Sequence, residues 1–223
     1  MYYMKNKLQI DIFSSVTSKE IREITSELIE AGLDQFIDDG FLKDIPVIGS
    51  AFKMVNMTQK ISDFFFTKKI LKFLFEFKDI SLEQRTKFIE KFENTVKTKK
   101  IGEKTLIILN KLDDADKATI LGKLFKSAIE GEIEMSEFIR LSHIVDRAYL
   151  DDLNALKEND FFDNLSLETK LNLYQINLAN QKIKDNRDHE EYVFKATGTR
   201  KIIPPSYDYE LNSYGEMLKQ YGF

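Results

Sequence analysis

Apolar residues recur at intervals of three and four along most of this chain, the spacing of helices that bury one face. Thr17 with Glu20 three residues on predicts a capped helix start, and Ile21, Ile24, Leu28, Ala31 and Phe36 follow on one face. Gly40 ends that pattern. Pro46 keeps Ile45 out of helix and predicts a turn; helical spacing returns from about Ser50, through Phe52, Val55, Ile61, Phe65 and Leu71. Ser81 and Gln84 form a second capping box, ahead of Phe88, Phe92 and Val96. Residues 97–100 with Gly102 read as a connector, followed by a short helix through Ile108 and Leu112. Asp113, Asp114 and Asp116 suit the positive end of a helix whose buried face is Ile120, Leu121, Leu124, Phe125 and Ala128, closed by Gly131. Phe138, Leu141, Val145, Ala148, Leu153 and Leu156 mark the helical stretch after it, and Ser166 caps another that carries Leu167, Leu171 and Tyr174.

The two ends break this period. Leu8, Ile10 and Ile12 alternate with polar residues, which predicts a short strand. Residues 177–183, 191–195, 201–203 and 207–211 read as strands, with Gly198 and Pro204-Pro205 as turns and a last helix over 214–221. The resulting expectation is a mainly α chain: a helical bundle with a small C-terminal winged-helix-like α+β module. Its parts are a helical region over 1–112, a helix-turn-helix pair over 113–160 and the winged module over 161–223.

The bundle is organised on residues 41–78, where eight of the chain's 18 phenylalanines fall. From Lys43 to Lys78 seven lysines face only Asp44, Asp63 and Glu76, although the whole chain carries a net charge of −4. Two readings follow. Lys53, Lys60, Lys68, Lys69 and Lys72 form a basic surface for an anionic membrane or a partner, with the rings entering the acyl boundary. Alternatively, the rings are core and the lysines merely solvated, which is the commoner use of such a helix. No window reaches the apolar length of a spanning helix, and the first residues lack a signal peptide's apolar run. The expected location is cytoplasmic, with peripheral attachment to an inner membrane under the first reading.

Candidate chemistry is sparse. With no cysteine in the sequence, disulfides, thiolate catalysis and cysteine zinc sites drop out. His143 lies within helical reach of Asp146 and Arg147, but no nucleophile or second base accompanies it; His189 sits in a charged run that reads as loop. Gly131, Ile133 and Glu137 match the second half of an EF-hand loop, whereas Lys126, Ala128 and Glu130 stand where its first ligands belong. Phosphate-binding and hydrolase motifs are missing from the sequence. No cofactor, metal or catalytic residue is implied.

The tail Tyr209-Glu210-Leu211-Asn212-Ser213-Tyr214-Gly215 resembles the end of a winged helix-turn-helix domain, in which a wing strand leads through Gly to a closing helix. A DNA-reading version would use Lys170, Lys182, Arg200 and Lys201; balanced charge from Ser166 onward favours protein contact or self-association instead. The segments IPVIGS and KKILKFL, the turn GEI…SEFIRL and the Y-x-L…G tail together resemble bacterial helical proteins of the abortive-infection and phage-defence class. The turn is also similar to the tellurite-resistance B-type helical domain, whose acidic metal residues are incomplete here. These resemblances imply a non-enzymatic interaction or effector protein and carry over no catalytic residue. The alternative is a winged-helix transcriptional regulator.

Overall fold

In the computed structural model the described residues are 12–30, 40–52, 60–93, 96–184, 187–199 and 206–223. They are mainly helical, with one small antiparallel sheet near the C-terminus. The helices are α1 (Ser26–Glu30), α2 (Pro46–Phe52), α3 (Lys60–Phe75), α4 (Leu82–Glu93), α5 (Val96–Lys111), α6 (Asp116–Glu130), α7 (Met135–Arg147), α8 (Leu150–Glu158), α9 (Leu167–Gln175), α10 (Arg187–Thr197) and α11 (Ser213–Tyr221). The strands are β1 (Ala179–Lys184) and β2 (Ser206–Leu211). Residues 12–16 are also helical, and 3-10 turns occupy Glu20–Glu23, Phe41–Asp44 and Phe162–Asn164. Two compact units emerge: Met1–Leu150 with Tyr221–Phe223, and Asp151–Gln220. Residues 113–147 therefore pack within the first unit.

The first unit is built around Phe125 of α6. Its ring lies 5.1 to 5.7 Å, centroid to centroid, from Phe73, Phe77, Phe88 and Phe138. Rings at tilted or edge-on angles fill this centre, and each fully buried phenylalanine contributes roughly 1.5–3 kcal/mol. The Phe-rich stretch thus supplies the core through Phe73 and Phe77, while Phe65 is 53% exposed. Helix α3 packs chiefly on α6, and Gly122 marks their crossing: a Cβ there would stand 2.6 Å from the Phe73 carbonyl oxygen and 2.8 Å from Glu76 Cγ.

Local signals set most helix ends. Ile45 is extended (ψ 116°) and Pro46 is the first residue of α2, so the proline starts a helix earlier than expected. The Val47 amide, orphaned in that first turn, donates to Ser15 Oγ at 2.9 Å. Ser81 and Gln84 make the expected reciprocal pair at 3.2 and 3.3 Å. Near Thr17 the expected capped helix does not form: Thr17 Oγ1 donates back to Phe13 O, Ser18 Oγ receives the Glu20 amide, and the 3-10 turn Glu20–Glu23 ends at extended Ile24 before α1 begins. Gly131 closes α6 with φ 84°. The Glu137 carboxylate then accepts the Glu134 amide at 2.7 Å, so the acid at the last ligand position of the EF-hand-like turn serves as a helix start.

Two expectations are corrected. The connector over 97–100 is the first part of α5; Gly102 sits inside that helix because a Cβ would meet Phe13 and Ile12 side-chain carbons at 2.7 and 2.8 Å. The strand over 191–195 is helix α10, held by an i,i+4 pair between Lys195 and Glu191 at 2.6 Å. The N-terminal strand lies outside the described residues except for Ile12 and Phe13, which are helical. The strand over 201–203 also lies outside them.

The second unit has its own core of Leu153, Leu156, Leu165, Leu173, Leu178 and Leu218, closed by Ala179 and Tyr209. Helix α9 starts at Ser166, whose Oγ accepts the Thr169 amide at 3.1 Å. It ends with Asn177 in the left-handed region (φ 68°), and the Leu178 amide reaches back to Leu173 O at 2.8 Å. That turn delivers the chain into β1. Strand β2 pairs with β1 antiparallel, with Ala179 opposite Leu211 and Ile183 opposite Tyr207. Asn212 then bridges the parts: its Oδ1 caps the α11 amides of Tyr214 and Gly215, and its Nδ2 donates to Asn177 O at 3.0 Å.

Candidate functional site

The lysine row on α3 is largely spent inside the protein. Lys68 pairs with Glu30 at 3.2 Å. Lys72 pairs with Asp116 at 2.5 Å and lies 3.8 Å from Glu30. Lys69 donates to the backbone carbonyls of Leu112 and Asn110, capping the end of α5. Burial pushes the Lys69 amine below its usual range, partly offset by Asp113 and Asp114. Lys60 opens α3 with its side chain outside the description, and Lys53 lies outside the described residues. Beside this row Glu76 is half-buried; burial raises its carboxyl above the ordinary range against the pull of Lys123, Lys126, Lys72 and Lys78.

The nucleic-acid candidates are also engaged. Lys170 donates to Asp163 O at 2.9 Å and lies over the Phe162 ring. Lys182 pairs with Glu210. Arg200 and Lys201 lie outside the described residues. Between Asp151 and Gln220 the sequence holds thirteen acids against nine Lys and Arg, the reverse of a DNA-reading surface. His143 is exposed on α7. Among the described residues no group of three or more His, Asp or Glu is placed to hold a metal ion.

Among the described residues of the first unit, Lys117 and Arg85 are buried cations. Lys117 Nζ is held by Asp113 at 2.6 Å and by Ala148 O at 2.5 Å. Arg85 pairs with no acid among the described residues: Nε donates to Ile80 O at 3.2 Å, and Nη1 to Ser18 O at 3.0 Å and to Val16 O. Its Nη2 is buried without a hydrogen-bond partner among the described residues. Those carbonyls end the 12–16 helix and the turn after α3, so Arg85 serves as a strut between chain segments.

Among the described residues, Phe65, Ile107 and Tyr149 are exposed in the first unit, but most of the large exposed apolar side chains belong to the second. Phe161, Leu167, Tyr174 and Tyr192 are exposed there, and so are Ile183 and Tyr207. The strand register explains the last two. Side chains alternate across the ribbon, so Ala179, Gln181 and Ile183 share a face with Leu211, Tyr209 and Tyr207. Near Ala179 that face is covered: Tyr209 is buried, its ring 5.6 Å from Tyr174 and its hydroxyl bonded by Gln181 Nε2 at 2.8 Å. Two residues further on the cover stops, and Ile183 is 73% exposed opposite Tyr207. The opposite face carries Lys182 against Asp208 and Asn180 against Glu210. None of these apolar positions belongs to a sequence-predicted site, although the alternation through Ile183 and Tyr207 was available to mark them. Comparison with protein-family models, with curated proteins and with solved structures finds no match.

Proposed function

We propose that this chain is a non-catalytic interaction protein that engages a protein partner through its C-terminal module. The observation that carries this reading is the number of large exposed apolar side chains in that module, among them Ile183 and Tyr207, which stand opposite each other on the ribbon. Exposed apolar side chains that adjoin, as Ile183 and Tyr207 do across the strands, mark an interaction surface where single ones would not. The excess of acids over bases between Asp151 and Gln220 supports a protein over a nucleic acid. Attachment to a membrane through Lys68, Lys69 and Lys72 gains less support, because those amines already hold Glu30, Asp116 and the Leu112 carbonyl. Among the described residues no helix is long and apolar enough to cross a membrane. An effector role in defence is compatible with such a module and is carried by the resemblance alone.

Site-specific photocrosslinking in the native host tests the proposal. A crosslinking residue at Tyr192 or Tyr207 should give adducts of defined mass, and the same residue at exposed Lys104 or Glu130 should not. Adducts at neither module position, or equal yields at all four, would remove the reading. Flotation with anionic vesicles checks the membrane version directly.

A further inference from the structure

No further inference is drawn: the strongest candidate, the apolar stripe of α9 through Leu167, Leu171 and Tyr174, has Glu168 and Lys170 beside it, so charge selects no occupant and nothing in the structure shows what covers it.

Discussion

At Arg85 the chain buries a guanidinium among carbonyls, with no acid beside it among the described residues, and two segments depend on that choice. Removing the side chain leaves three carbonyl oxygens short of a donor at a buried site. Arg85→Ala is therefore expected to lower the unfolding free energy by about 3 kcal/mol, read from urea denaturation. A loss within about 0.5 kcal/mol would mean those bonds are replaced by water. Glu76 makes the opposite case. Burial raises its carboxyl above the ordinary range, so the folded chain binds that proton more tightly than an unfolded one. Ionising it weakens the fold as pH rises through that raised range, and the penalty vanishes where both states are protonated. Glu76→Gln removes the penalty. The variant should exceed the parent in stability at pH 7 and match it at about pH 3.5, below the usual carboxylate range. Parallel stability curves across that interval would refute the account.

Element boundaries were legible where their causes are local. The Ser81–Gln84 box, the Ser166 cap, the acidic start of α6 and the Gly131 close each involve residues within a few positions of one another. Helix α10 was misread because Tyr192, Val193 and Phe194 favour strands only on a pleated, half-covered surface; here the Glu191–Lys195 pair and charged flanks hold a helix. The lysine row was legible as a row and not as a set of partners. Glu30 and Asp116 lie 38 and 44 residues from the lysines they neutralise, a distance no periodicity spans. The open end of the ribbon depended on where α9 stops covering it, which is again a matter of packing. Gly122 belongs to this scale, since one hydrogen in place of a methyl sets how closely α3 and α6 approach. Gly122→Ala pushes against the Phe73 carbonyl, which is backbone and cannot swing away. An unfolding loss of roughly 1–3 kcal/mol is expected despite the better helix propensity of alanine. A more stable variant would show that the crossing is slack.

The two compact units differ in what holds them. The first closes on five interlocked phenylalanines, Phe73, Phe77, Phe88, Phe125 and Phe138. The second closes on leucines, one alanine and one tyrosine, with a two-stranded sheet that is marginal by itself. A small unit buries a smaller share of its surface, and this one leaves Ile183, Tyr192 and Tyr207 in water as well. Its opening free energy should therefore be the lower of the two. Native-state amide exchange at rising, sub-denaturing guanidinium separates them. Amides of Leu173 and Leu178 should reach their opening limit at lower denaturant than those of Leu121, Leu124 and Phe125. Coincident behaviour of both sets would show one cooperative body and refute the expectation. The same measurement ties stability to function. A ligand that binds only the folded module raises its opening free energy by RT ln(1 + [L]/Kd), about 2.7 kcal/mol at a hundredfold excess over Kd. A partner that covers Ile183 and Tyr207 should give that increment at Leu173 and Leu178 and none at Phe125, so that binding steadies the weaker unit and leaves the aromatic core as it was.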